Sequence, residues 1–498
     1  MKNLQETNLK LGIDEVMKKA AVAFDKYRKV DPEQKALFLE SIAAEIEALG
    51  DPLIQMAGKE TNLTPERLTG ERTRTVLQLR MFAAMVREGN WVDATIDTAL
   101  ADRRPVAKPD IRKMLIPLGP VVVFGASNFP FAYSTAGGDT ASALAAGCSV
   151  VVKAHPAHSK TSEMVFEAIR KAADHCNMPA DVFQHVADEG FQTGQYLVQH
   201  PATAAVGFTG SFRGGKALYD YAHERTSPIP VFAEMGSINP VIFLPGTLES
   251  NADALAQMYA GSITLGVGQF CTNPGLMLAV KSDALDNFLK ILSGAVAQYV
   301  PAPMLHEGIQ RAYSEKMENA LAQKGVMLVN GRGDAGKSAS PGAAIAYTAG
   351  DNFLKNPVLH EEVFGPYSLM VACSSMEELR RAWLAVKGQL TTSIMGTEQD
   401  LREYGDLIEI APGIAGRVNI NHPPTGVEVC PSMVHGGPFP ATTDSRFTAV
   451  GIHGVRRWVR PVCFQNCPEF LLPPELKNAN PGKIWRLVNN EFQNGEVK

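Results

Sequence analysis

Between Lys113 and Lys153 the chain carries a single charged residue, Asp139. A stretch this apolar has to be buried, either in lipid or in a protein core. Its punctuation decides between the two. Pro117, Gly119, Pro120, Gly125, Pro130, Gly137, Gly138 and Gly147 cut it into pieces too short to cross a bilayer as one helix. GPVVVFGASN is a β-branched run ending in glycine, STAGGDTASALAAG is a small-residue helix, and CSVVVKA is a second buried strand. Strands apolar on both faces belong to a parallel sheet covered by helices, so this is a β-α-β unit.

The alternation continues through a helix at 161–175 and the apolar run AAVGFTG at 204–210. A second alternating block begins at IPVFAEMG (229–236) and runs through VMLVNG, AAIAYT and LMVACS to about 418. The fold class expected is α/β with two Rossmann-like parallel-sheet domains, and ligands of such sheets bind at strand carboxyl ends. Residues 13–50 and 65–88 have apolar positions at helical spacing and are expected to clothe the first sheet. NINHPPTGVEVCPSMVHGGPFPATTD, from 419, reads as a long ordered loop of the kind that usually carries function.

At 498 residues, 45% apolar and 20% charged, the chain allows two or three packed domains. Net charge is −5 with acids and bases interspersed, which argues against nucleic acid and against an anionic membrane surface as partners. Small-molecule chemistry is the class that remains. Cysteines at 148, 176, 271, 373, 430, 463 and 467 form no CxxC pair and have no histidine at zinc-ligand spacing. A reducing compartment and no metal are expected. The opening MKNLQETNLKLGIDEV builds no apolar run, so no targeting segment is visible and the cytoplasm is the expected location.

Five places can carry chemistry. Cys271, in TLGVGQFCTNPG, follows an uncharged glycine-rich turn where backbone amides can gather; it is either a nucleophile or a small buried apolar side chain. Glu234 ends the apolar strand PVFAEMG and is either a base facing the cleft or a solvated or salt-bridged glutamate at a strand terminus. Asn128 follows the first strand and either donates to an oxyanion or serves as a turn residue before Phe129 and Pro130. Lys153 ends the second strand. FTGSFRGG (208–215) ends the next one, with Gly210, Ser211 and Gly215 permitting close approach of a phosphate to a helix start.

Taken together, GASNFPF, VVVKAHP, GFTGS, FAEMGSINP, GVGQFCTNPG and HEEVFGP occur in the order and spacing of the aldehyde dehydrogenase superfamily, and the resemblance covers nearly the whole chain. The C-terminal text, NHPPTGVEVCPSMVHGGPFPATTD and RPVCFQNCPEFLLPPEL, resembles the branch of α-ketoglutaric semialdehyde (2,5-dioxopentanoate) dehydrogenases and a related NADP-linked bacterial fatty aldehyde dehydrogenase. The resemblance implies that Cys271 is the nucleophile, that Glu234 activates the deacylating water, and that Asn128 shares the oxyanion with the Cys271 amide. It assigns Lys153 to the adenosine ribose, Ser211 with the Gly210 to Gly215 turn to the pyrophosphate, and Glu362 with Phe364 to the nicotinamide ribose and ring.

NAD or NADP is the implied coenzyme. Pro156 stands where NAD-specific relatives often carry a glutamate, so no acid there repels a 2′-phosphate, and Lys153, His155, His158 and Lys160 in the same connection favour NADP. Ser237 and Ile238 replace the glycine and lysine of the common family text. The implied domains are a coenzyme-binding domain at 1–100 and 118–232 with part of 420–455, a catalytic domain at 233–419, and oligomerisation segments at 101–117 and 456–498 of a homodimer or homotetramer.

The implied reaction is oxidation of an aldehyde to a carboxylate through a thioester. Members that pass the acyl group to coenzyme A typically lack the glutamate, so Glu234 favours hydrolysis. A non-catalytic binding protein of this fold would have no use for Cys271, Glu234 and Asn128 together. α-Ketoglutaric semialdehyde is the expected substrate, ahead of a fatty or broad-range aldehyde. Its carboxylate needs a polar or basic contact, for which Arg72, Arg74 and Arg80 of GERTRTVLQLR and the amides and hydroxyls of the 421–443 loop are candidates, with Phe129 and Phe131 flanking the substrate chain.

Overall fold

The computed structural model describes residues 2–188, 190–330 and 340–497. Its first sheet has the strand order Phe183–Val186, Val150–Lys153, Val121–Phe124, Ala205–Thr209, Val231–Glu234, paired in parallel throughout. Winding therefore reverses between Val121–Phe124 and Ala205–Thr209, and a crevice opens at the carboxyl ends of those two strands. Alternate side chains feed two cores. Val121 and Val123 join Phe38, Phe82 and Leu144 of the covering helices, while Val122 and Phe124 join Met17, Leu197 and Leu218 on the other face.

One expectation is corrected by the strand pairing. Val231–Glu234 does not open the second domain but pairs with Ala205–Thr209 as the last strand of the first sheet. An apolar run shows that a strand is buried, not which sheet receives it. Phe183–Val186 is a strand that the pattern did not show, because at the sheet edge only its first two residues are buried. The N-terminal helical region is also broken into Lys2–Tyr27, Pro32–Ala48 and Gly50–Thr61, the second capped by the Asp31 carboxylate accepting from the Glu33 N–H at 2.8 Å.

The second sheet runs Met327–Leu328, Ala344–Ala349, Tyr367–Cys373, Leu276–Val280, Val241–Phe243, Gln389–Met395, Ala415–Ile420, parallel except for the antiparallel first pair. Tyr259 and Phe288 pack on one face of it, Tyr313 and Trp383 on the other. A third sheet joins Val459–Gln465, Ile111–Pro117, Thr95–Asp97, Arg486–Val488 and Glu491–Gln493. Among the described residues no helix is long and apolar enough to cross a membrane.

Asp139, the lone charge of the apolar stretch, lies in the first turn of helix Gly138–Ala146 and pairs with Arg457 at 2.7 Å, both side chains buried. The Arg457 guanidinium lies 4.7 Å from the Trp458 ring centre, and the indole N–H donates to Ser142 Oγ at 2.7 Å. Gly207 leaves room for the pair, since a Cβ there would meet Asp139 Oδ2 at 2.7 Å and the Trp458 ring at 3.0 Å. Replacing Asp139 by Asn leaves a guanidinium buried without its counter-charge. The unfolding free energy is expected to fall by about 3–5 kcal/mol in denaturant titration; a loss below about 1 kcal/mol would show that packing alone holds this junction.

Candidate active site

Because the first sheet is parallel, Asn128, Lys153, the Thr209–Ser211 turn and Glu234 all emerge on one side of it. Glu234 is the register partner of Thr209, and the Gly210 N–H donates to the Glu234 carbonyl at 3.0 Å. Ser211 caps helix Phe212–His223, its hydroxyl accepting from the Gly214 N–H at 3.2 Å. The carboxylate and an exposed helix start suited to phosphate therefore lie side by side.

Cys271 arrives from the second sheet. After helix Pro245–Thr264, Gly266, Val267 and Gly268 take φ values of +55°, +59° and +64°. The glycines accept this at no steric cost, but a β-branched valine there is strained, and the turn is held by its surroundings. Gln269 anchors it, accepting from the Leu305 N–H at 2.9 Å with its side chain and from Asn128 Nδ2 at 3.1 Å with its carbonyl. Asn239 Nδ2 donates to the carbonyls of Cys271 and Asn273, both at 2.9 Å. Two asparagines thus fix the loop from opposite sides.

Cys271 Sγ lies 3.4 Å from His435 Nε2, and His435 Nδ1 lies 2.6 Å from Glu234 Oε2. His435 and Glu234 are 3% and 5% exposed. The carboxylate lies off the ring N–H direction, so the contact is an ion pair, and neither Glu234 oxygen accepts a directed hydrogen bond among the described residues. Burial opposes charge on His435, but Glu234, helped by Tyr133 and Cys271, raises its pKa well above the ordinary value. Sulfur, imidazolium and carboxylate form one continuous arrangement. Sequence reading did not find His435: the only signal was its place in a long ordered loop, with no partner at a recognisable spacing.

Phe129 lies beside this arrangement, 5.6 Å from Phe270 and 5.2 Å from Tyr133 between ring centres. Phe131 does not join it. Its side chain is buried in the first core, and its N–H donates to the Glu71 carboxylate at 2.9 Å. Arg72 and Arg80 are likewise turned away, Arg72 donating to the Gly50 carbonyl at 2.8 Å and Arg80 pairing with Glu47 at 2.6 Å. The helical period is the reason. Positions 67, 71 and 74 share the face towards Phe129 and Tyr133, and positions 72 and 80 lie on another.

The residues expected to hold a dinucleotide lie at strand ends of the first sheet and in a loop of the second domain. The Ser211 turn and Lys153 follow or end strands of the first sheet, and the Ser237 N–H donates to the Glu362 carboxylate at 3.4 Å. Burial pushes Glu362 up to about 7, against the pull of the Ser237 N–H and Lys316. Gly236 faces that carboxylate, which would have to shift to admit a Cβ there. Phe364 follows in the same loop, whose Gly365 carbonyl accepts from Asn273 Nδ2 at 3.2 Å.

The charge expected to favour a 2′-phosphate is smaller than the sequence suggested. His155 is lowered to about 3 by burial, then by His158, His306 and Lys153, so it is neutral, and its Nδ1 accepts from the Ala157 N–H at 3.1 Å. His158 is buried with its Nε2 2.9 Å from the Ala126 carbonyl, and Lys160 pairs with Glu163 at 2.7 Å. Lys153 ends its strand in the same connection. Pro156 opens a short 3-10 turn and still supplies no acid.

Residues 6–438 match the aldehyde dehydrogenase family. The chain belongs to that family. It is 48% identical over 472 residues to α-ketoglutaric semialdehyde dehydrogenase 2 of Azospirillum brasilense, covering 95% of this chain and 90% of the relative. It is 45% identical over 479 residues to an α-ketoglutaric semialdehyde dehydrogenase of Acinetobacter baylyi, covering 96% and 90%. Glyceraldehyde-3-phosphate dehydrogenase GapN of Methanocaldococcus jannaschii shares the fold, with a TM-score of 0.77 at 18% identity over 92% of this chain and 94% of that one. This aldehyde dehydrogenase is accordingly an NAD(P)-dependent aldehyde oxidoreductase.

The contact between sulfur and imidazole makes a measurable difference. In His435→Asn, alkylation of Cys271 by iodoacetamide at neutral pH is expected to slow at least about tenfold; an unchanged rate would show that His435 does not act on the sulfur. Because the folded-state pKa of His435 is raised, its stabilising contribution is complete below the ordinary value of about 6.5 and is lost as pH rises through the folded value. The stability gap between wild type and His435→Asn should therefore narrow towards alkaline pH.

Proposed function

We propose that this chain oxidises α-ketoglutaric semialdehyde to α-ketoglutarate with NADP or NAD, through a thioester on Cys271. The observation that carries the chemistry is the arrangement of Cys271, His435 and Glu234 at 3.4 and 2.6 Å. The substrate assignment is supported by two relatives of that name matching nearly the whole chain at 48% and 45% identity.

The imidazolium of His435 donates its Nε2–H to the sulfur and supports the thiolate. The sulfur attacks the aldehyde carbon; a C–S bond forms and the carbonyl oxygen becomes an alkoxide. Asn128 Nδ2 and the Cys271 N–H, which makes no hydrogen bond among the described residues, are the donors at hand for that oxygen, each contributing about 3–4 kcal/mol in sites of this type. When bound in the cleft, the nicotinamide coenzyme supplies the hydride acceptor. Glu234, its oxygens without a directed partner, takes a proton from the water that attacks the thioester carbonyl. The C–S bond then breaks, and the sulfur leaves as a thiolate that His435 again supports.

The protein assembles as a homo-oligomer in the cytoplasm in this reading. Val459–Gln465 is a sheet-edge strand with mostly exposed side chains; Phe470, Leu471, Trp485 and Phe492 near it in sequence are also exposed, and the seven cysteines are unpaired. Light scattering is expected to give a multiple of 53.7 kDa, and the mass of a single chain would overturn the assembly.

Cys271→Ala should abolish oxidation while coenzyme binding stays measurable. Glu234→Gln should give one burst of reduced coenzyme and then stall, because hydride transfer precedes deacylation. Loss of both phases together would place Glu234 earlier in the reaction. A catalytic efficiency for hexanal or longer aldehydes above that for α-ketoglutaric semialdehyde, with either coenzyme, would replace the substrate assignment by a broad-range or fatty aldehyde dehydrogenase.

A further inference from the structure

Two guanidiniums, Arg67 and Arg74, lie against the aromatic wall of the site, a third, Arg417, lies within electrostatic reach of Cys271 and Tyr133, and they are not equivalent. Arg67, over the rings of Phe129 and Phe270 at 4.4 and 5.1 Å, is neutralised by Glu71 at 2.8 Å. Arg74, two helical turns further on, has no carboxylate partner among the described residues. Its Nη2 donates to Tyr133 Oη at 3.2 Å and its Nε is buried with no partner. Tyr133 stays neutral, since burial raises its pKa, and its ring lies 5.9 Å from that of His435.

Arg417 is the third. Its guanidinium donates to the carbonyls of Pro424 and Gly426, again with no carboxylate partner among the described residues. Its backbone is close to the nucleophile. Arg417 is the register partner of Thr391, whose hydroxyl donates to Asn239, and Asn239 in turn holds the Cys271 carbonyl. Its neighbour Gly416 abuts Gly436, the residue after His435.

Two partly buried cations left without counter-ions at one site call for an anion that arrives with the ligand. The Glu234 carboxylate is already committed to His435. We propose that Arg74 and Arg417 bind the carboxylate at the far end of the substrate from its aldehyde, with Phe129 and Phe270 along the chain between. The proposal rests on the reading of the substrate as an oxo-acid semialdehyde. It adds that the selectivity resides in these two side chains and not in Arg72 or Arg80. Tyr133 is a positioning residue, holding the Arg74 fork towards the pocket.

The test compares α-ketoglutaric semialdehyde, succinate semialdehyde and pentanal as substrates of wild type, Arg74→Met, Arg74→Lys and Arg417→Met. The ratio of kcat/KM for the carboxylated aldehydes to that for pentanal is expected to fall about 10- to 100-fold in Arg74→Met, chiefly through KM, and less in Arg417→Met, as for loss of a charge-assisted hydrogen bond. Arg74→Lys should recover part of it. As a readout independent of turnover, 2-oxoglutarate should protect Cys271 from iodoacetamide in wild type, and about tenfold or more concentrated 2-oxoglutarate should be needed in Arg74→Met.

Equal losses for pentanal and the carboxylated aldehydes would reduce Arg74 to a structural role and overturn the proposal, as would ratios and protection unchanged in both methionine variants. A wild type that favours succinate semialdehyde over α-ketoglutaric semialdehyde overturns the substrate named above but leaves the anchor standing on its own ratio. A wild type that prefers no carboxylated aldehyde to pentanal overturns both.

Discussion

The buried pair of Asp139 and Arg457 governs how the end of the chain meets its beginning. Arg457 and Trp458 are drawn against helix Gly138–Ala146, and the Trp458 carbonyl accepts from the Leu118 N–H at 2.9 Å just before the first strand. With residue 458 fixed there, the segment before it runs along the sheet edge. The Met235 N–H donates to Ala441 and the Thr443 N–H to Ala233, at 2.8 and 3.1 Å, so this stretch extends the pairing of Val231–Glu234. His435 comes to Glu234 by that route, although 201 positions separate them in the chain (435 less 234). The pairing along this sheet edge, and not any nearness in sequence, brings His435 to Glu234.

The electrostatics of the site follow from burial. A carboxylate 5% exposed is costly alone, and the imidazolium that offsets it is costly alone as well; each is stable because the other is 2.6 Å away. His435 has a second nitrogen 3.4 Å from Cys271 Sγ, so the residue that offsets the Glu234 charge also contacts the sulfur. Arg67 and Glu71 are a closed pair of the same sort, and Glu71 also accepts from the N–H groups of Phe131 and Ala132 at 2.9 Å, fixing the turn after Asn128. Arg74 and Arg417 are the charges that this local matching leaves over.

Rigidity around Cys271 comes from contacts of long sequence separation. Val267 holds an unfavourable φ because Gln269 is tied to Leu305 and Asn128, and because Gly268 abuts the backbone of Gly365 in the Glu362 loop. The sulfur-bearing turn, the first-sheet crevice and the Glu362 loop therefore take their positions together. Displacing one shifts the others.

The local text determined where strands end, because a buried β-branched run followed by glycine has few other solutions. Asn128, Lys153 and Glu234 could be read as strand-end residues, and Cys271 as a residue of a glycine-rich turn, without any knowledge of what faces them. The Asp139 charge could be seen to need explaining, but its partner lies 318 positions away (457 less 139) and leaves no local mark. Which sheet received Val231–Glu234, which face of helix Pro65–Glu88 turned Arg74 inward and Arg72 outward, and which loop histidine met the sulfur were decided only by the tertiary structure. Periodicity specifies that a side chain is buried or exposed; the identity of its partner is set when distant segments pack, and at this site the chemistry lies in the partners.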